Sequence, residues 1–198
     1  MKRMLHIVSA PGRAAVSPLL CFLHGYGEAA PMPIERAVRL HGPLAASAAA
    51  AATREFIIVA PQLPVAGDLW VRHADELRAL VEEACAQQSA DTTRLYLTGF
   101  SYGGNGVFDL AAAQPDLWAA LWSVDPTRVP KKPPAPPLWL SAGSIARPQR
   151  QAFVRALGLG TPERVWADDG EDHVGSARVA YGDERIYRWL LGFATPGG

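Results

Sequence analysis

The stretch Leu95-Tyr96-Leu97-Thr98-Gly99-Phe100-Ser101-Tyr102-Gly103-Gly104 decides the fold. Its first four residues are apolar, aromatic or β-branched and read as a buried strand. From Val107, through Leu110 and Ala111, apolar residues recur at helical spacing. Only a glycine-bounded turn separates the two, so a strand passes into a helix with almost no loop. Upstream, Leu19–Leu23 and Phe56–Ala60 are further short apolar runs, and Met4–Val8 suits an edge strand. Downstream lie Leu121–Val124, Leu138–Leu140 and the weaker Arg164–Ala167. Continuous apolar runs, rather than strict alternation, fit a parallel sheet covered on both faces.

Helical patterns fill the gaps. Over Val71–Gln87 the apolar stripe is Ala74, Leu77, Val81, Ala84 and Cys85. Pro148–Leu157 has proline at its start and Gly158 after its end. Asp183–Phe193 is striped by Ile186, Leu190 and Phe193. Alternation of strand and helix predicts an α/β fold with right-handed crossovers. Between Asp125 and Pro137 stand six prolines with Lys131 and Lys132. Proline at that density excludes a helix and predicts an extended crossover loop.

The 198 residues suit one domain over 1–198, with enough chain to bury a core. Apolar residues make up 49% and the formal net charge is zero, so the balance offers no footprint for nucleic acid. Cys21 and Cys85 read as buried thiols, being neither a disulfide framework nor a metal site. The start Met1-Lys2-Arg3-Met4 is basic, but His6, Ser9, Pro11 and Gly12 break any signal-peptide core. The Ala45–Ala52 run is far shorter than the roughly 18 apolar residues of a membrane span. The expectation is a cytoplasmic protein with no membrane association. Oligomeric state is left open.

By composition alone, a chain of this length has roughly a one-in-ten chance of containing G-x-S-x-G. Its position between strand and helix is what gives Gly99–Gly103 meaning. Such a turn strains the serine backbone and lifts the hydroxyl above the sheet, beside the positive end of a helix. Ser101 is the candidate nucleophile. Leu23-His24-Gly25-Tyr26-Gly27 follows the first strong strand. Acyl transfer puts negative charge on a carbonyl oxygen, and two fixed N–H donors stabilise it. The N–H groups of Tyr102 and Tyr26 are the candidates, with Gly25 and Gly27 allowing the bend. A phosphate loop is excluded because its lysine and hydroxyl residue are missing.

His24-Gly25-Tyr26-Gly27 after one strand, Gly99-Phe100-Ser101-Tyr102-Gly103-Gly104 after another and a late histidine together resemble the α/β-hydrolase superfamily. The similarity runs from about Leu19 to Leu191. It is greatest to small lid-less carboxylesterases, of the phospholipase/carboxylesterase or dienelactone-hydrolase kind. This implies a mostly parallel central sheet, helices on both faces, a minimal lid-less architecture and no cofactor or metal. True dienelactone hydrolases resemble the chain but carry cysteine where Ser101 stands. Of the five histidines, His6, His24, His41 and His73 lie in strands, helices or the early loop. His173, in the loop Asp168–Gly175, matches the family position for the base, which a serine nucleophile requires.

The third group departs from the family. The usual acid segment resembles G-x-x-D-x-x-x-P, whereas this chain has Gly143-Ser144-Ile145-Ala146-Arg147-Pro148, with no acid. Asp125, one strand earlier, is the first alternative, because a strand terminus faces the ligand edge of such a sheet. Asp168 or Asp169 is the second, and a Ser–His dyad the third. If Asp125 serves, Asp125→Asn is expected to cut kcat with little change in stability. The resemblance implies hydrolysis of a small-molecule ester, simple or bulky, through an acyl-enzyme. Trp70 and Gly25 are the expected substrate contacts, with Tyr26 and Tyr102 beside them in an open cleft. Thioesterase, peptidase and a non-catalytic binding protein remain the alternatives.

Overall fold

The computed structural model describes residues 4–10 and 16–196. The Met1–Arg3 start and the Pro11–Gly12 break lie outside them. Among the described residues, seven strands form one sheet: β1 (Leu5–Ser9), β2 (Leu19–Leu23), β3 (Ile57–Gln62), β4 (Leu95–Phe100), β5 (Ala120–Val124), β6 (Leu138–Ala142) and β7 (Arg164–Asp168). Their spatial order is β1-β3-β2-β4-β5-β6-β7. Only β1 runs antiparallel, pairing Leu5 with Gln62 and Ser9 with Ile58. The other pairings are parallel, as apolar runs buried on both faces require.

Within each run, side chains alternate between two cores. Leu19, Cys21, Leu23, Leu97 and Leu121 face one side. There they meet α3 (Ala74–Gln88), α4 (Tyr102–Ala113) and α5 (Arg150–Leu157) through Leu77, Val81, Val107, Leu110 and Phe153. Leu20, Phe22, Ile58, Tyr96 and Trp122 face the other. They meet α1 (Ile34–Leu40), α6 (His173–Gly182) and α7 (Glu184–Leu190) through Val38, Tyr181, Ile186 and Leu190. Cys21 and Cys85 are buried free thiols. The segment after Asp125 holds no helix and passes between β5 and β6.

Some boundaries moved. Trp70–His73 forms a 3-10 turn, and α3 begins only at Ala74. The closing helix stops at Leu190, and Phe193 follows it to pack edge-on against Trp189. The Ala-rich run contributes only the single turn α2 (Ala50–Thr53). The largest departure is α6. His173 is not in a loop but is the first residue of this helix. Gly175 and Gly182 obscure the helical pattern. The Asp172 side chain nonetheless caps it, accepting from the Gly175 N–H at 2.6 Å.

Candidate active site

Ser101 sits between β4 and α4 with φ 56° and ψ −113°, a conformation that costs a non-glycine residue roughly 1–3 kcal/mol. Its neighbours hold it there. The Ser101 N–H donates to Val124 O at 2.9 Å, and Asn105 N–H donates back to Ser101 O at 3.2 Å. Glycine is required on both sides by close approach of strand to helix. A Cβ on Gly99 would lie 2.3 Å from Gly103 O, and one on Gly103 would lie 2.0 Å from Leu23 O.

His173 lies against Ser101, with Nε2 2.9 Å from the Ser101 Oγ. Its Nδ1 is 2.7 Å from Asp125 Oδ2. An ionised carboxylate can only accept, so Nδ1 carries the proton and donates it to Asp125. Nε2 is thereby left to accept from the Ser101 hydroxyl. The His173 side chain is 31% exposed, whereas Asp125 is completely buried.

Asp125 is held by the segment that looked empty. The N–H groups of Gly143 and Ala146 donate to its Oδ1 at 2.9 and 2.8 Å. Ile145 N–H donates to Oδ2 at 3.3 Å. Gly143-Ser144-Ile145-Ala146 thus supplies not an acid but the donors that an acid needs. Burial works to raise the Asp125 carboxyl, but the bonds from His173, Ala146, Ile145 and Gly143 outweigh it and hold it below its ordinary value. Asp125 itself takes a left-handed φ of 40°. Its N–H donates to Ser141 O at 2.8 Å, which fixes that turn.

The other two candidate acids point elsewhere. Asp168 accepts from Arg147 Nε at 2.8 Å and from Gly170 N–H. Asp169 accepts from Glu171 N–H. Burial, aided by the charges of Asp125 and Asp168, pushes Asp169 up to about 6.

On the other side of Ser101, Tyr26 opens a 3-10 turn and Tyr102 opens α4. Backbone N–H groups at such positions have no partner within their helix. Gly25 adjoins the serine, since a Cβ there would lie 3.6 Å from Ser101 Cβ. The Tyr26 and Tyr102 rings meet edge to face at 5.8 Å, and the Tyr102 hydroxyl donates to Gly67 O at 3.1 Å. The two rings form a rim, with Tyr26 58% exposed.

His24 braces this loop from below. Leu63 N–H donates to its Nε2 at 3.0 Å, so Nδ1 carries the proton and donates to Gly25 O at 2.6 Å. Burial pushes the His24 imidazole down to about 4, which keeps it neutral in this role. Trp70 corrects the sequence reading. It is 2% exposed, packs edge-on against His24 at 4.9 Å and faces Gly106 of α4. Its apolar surface is spent supporting the Gly25 loop and is not available to line a cleft. Glu28 and His41 also stand beside the site, Glu28 against Gly25 and His41 against Phe100. Nothing in their spacing links them to Ser101.

Among the described residues, no group of three His, Cys, Asp or Glu is placed to hold a metal ion. No described helix is long and apolar enough to cross a membrane.

The crystal structure of a thermostable esterase superposes on this chain with a TM-score of 0.74 at 18% identity, covering 96% of this chain. The chain adopts the α/β-hydrolase fold. This chain spans 58% of the length of that esterase. The sequence profile of the prolyl oligopeptidase family matches residues 64–129, a stretch that contains both Ser101 and Asp125. No curated protein matches the sequence. On this fold, Asp125, His173 and Ser101 stand in the hydrogen-bonded order of an acid–base–nucleophile triad.

Proposed function

We propose that the chain hydrolyses carboxylic esters of small molecules through an acyl-enzyme. The observation that carries this reading is the row Asp125–His173–Ser101, at 2.7 and 2.9 Å. His173 takes the proton as Ser101 Oγ attacks the ester carbonyl, and returns it to the leaving alcohol. Water then repeats the cycle on the acyl-enzyme. Asp125 fixes the tautomer and stabilises the imidazolium. The N–H groups of Tyr102 and Tyr26 receive the oxyanion, supported by the positive end of α4. Gly25 leaves space beside Ser101, and the Tyr26–Tyr102 rim borders the substrate.

A second reading, peptidase action by the same residues, is favoured by the prolyl oligopeptidase match. Matched ester, thioester and amide substrates separate the two, with ester turnover fastest under our proposal. The primary test is labelling by a fluorophosphonate. The wild-type chain is expected to label and Ser101→Ala is not. An unlabelled wild-type protein means a binding protein instead.

A further inference from the structure

A groove runs along α4 away from Ser101, and no step of the proposed reaction uses it. Its floor is Phe108, Asp109 and Ala112 of α4. One wall is Leu69 and Val71, from the connection after β3. The other is the proline segment, through Arg128, Pro130, Lys131 and Lys132. The groove holds about 630 Å³, enough for a small-molecule ligand.

Both walls are tied to the first turns of α4. Tyr102, Asn105, Asp109 and Ala112 recur at helical spacing and share one face of that helix. The Tyr102 hydroxyl donates to Gly67 O at 3.1 Å, just before Leu69 in the chain. Asn105 Nδ2 donates to Thr127 Oγ1 at 2.7 Å, and Asn105 Oδ1 accepts from the Thr127 and Arg128 N–H groups, each at 3.1 Å. The groove thus begins at the turn that carries the Tyr102 N–H and follows α4 outward. Asp109 stands eight residues beyond Ser101, about 12 Å along the helix axis. None of the lining residues comes from α6, the helix of His173. His173 returns its proton to the leaving alcohol, so the alcohol departs on the α6 side and the groove lies on the acyl side.

The lining combines apolar and cationic surface. Leu69 is 41% exposed and Val71 half-buried, with Phe108 and Pro130 beneath them. Arg128 pairs with Asp109 at 2.7 Å, so those two charges answer each other. Lys131 and Lys132 are exposed and have no acidic partner among the described residues. Pro130 and Pro133 flank the lysine pair and fix the backbone that presents it. The chain as a whole has zero formal net charge, so this positive excess is local. Resting on the serine-hydrolase reading, we propose that the groove is an acyl subsite for esters whose acyl chain ends in a carboxylate. The chain lies on Leu69, Val71 and Phe108, and Lys131 and Lys132 hold the far carboxylate.

The test compares 4-nitrophenyl monoesters of dicarboxylic acids with the same esters capped at the far carboxyl as a methyl amide. The ratio of their kcat/KM values, taken within one preparation, does not depend on how much enzyme is folded. The wild-type chain favours the free carboxylate by about fivefold for the decanedioate, mainly through KM. The hexanedioate is too short to reach the lysines and shows no preference. Added salt shrinks the decanedioate preference. Lys131→Gln with Lys132→Gln brings the ratio to about one, Lys131→Glu with Lys132→Glu takes it below one, and Lys131→Arg with Lys132→Arg keeps it. A wild-type decanedioate ratio of about one, or a ratio unchanged by the glutamine pair, overturns the proposal and leaves the hydrolase reading standing. If wild-type Ser101 does not label and no ester is turned over, the hydrolase reading fails by itself. Decanedioate binding, followed at the Lys131 and Lys132 amides by heteronuclear NMR, then decides the groove: shifts that vanish in the glutamate pair support it, and none in the wild type overturns it.

Discussion

Two buried carboxylates flank Ser101, and the chain treats them differently. Asp125, after β5, is fully buried and accepts from three backbone N–H groups and His173. Glu28, after β2, has one oxygen near His41 and the other without a partner. Burial pushes both carboxyls up. It is overcome at Asp125 and prevails at Glu28. The direction of a buried acid is therefore set by the donors that surround it, not by depth.

The strongest test of that contrast is Asp125→Asn. We expect kcat for ester hydrolysis to fall by about 10³–10⁴-fold, because an amide cannot fix the same His173 tautomer. The structure overturns the expectation of unchanged stability. The amide nitrogen cannot accept, so at least one of the donors around Asp125 loses its partner, at a cost of about 1–3 kcal/mol in denaturant unfolding. A near-normal kcat would remove Asp125 from the mechanism.

Gly143→Ala attacks the cradle from outside. Its Cβ would lie 2.6 Å from Asp125 Oδ2 and 2.5 Å from Ser176 Cβ. Neither contact can be relieved without moving the cradle, so roughly a hundredfold loss of turnover is expected in steady-state assays. The matching change at the Glu28 site, Gly25→Ala, should cost less. Its closest contact is the far end of a side chain, Glu28 Oε2 at 2.8 Å. We expect about tenfold or less, and a loss as large as that of Gly143→Ala would erase the contrast.

The smallest effect concerns Asp169, a second carboxyl that burial leaves raised, to about 6. Its ionised form disfavours the folded state. That cost is absent well below the ordinary carboxylate value and complete above about 6. Asp169→Asn should therefore raise the melting temperature at pH 8, with the gain shrinking as pH falls towards 4. Asp125 has the opposite sign. Its contribution is present above the ordinary carboxylate value and is lost as pH falls through its lowered one.

The strand–turn–helix at Leu95–Ala111 was legible because parallel strands and their helices write short, regular apolar patterns. The α6 helix was not, because its glycines and short length hide its period. Trp70 was misread for a related reason. An aromatic residue near a motif looks the same in sequence whether it lines a cleft or supports a loop, and only its 2% exposure separates the two.

By itself the sequence determined the sheet and the Ser101 turn, since each depends on local spacing and residue type, whereas the choice of His173 leaned on the resemblance to a known family. Only the tertiary structure decided which acid meets His173. Asp125 and His173 are 48 residues apart. The donors that hold Asp125 come from a third segment, Gly143–Ala146, whose relevant groups are backbone N–H. Every residue but proline carries such a group, so its direction leaves no mark in the sequence. Glu28 and His41 escaped for the same physical reason: their link to Ser101 runs through space, across Gly25 and Phe100, and not along the chain.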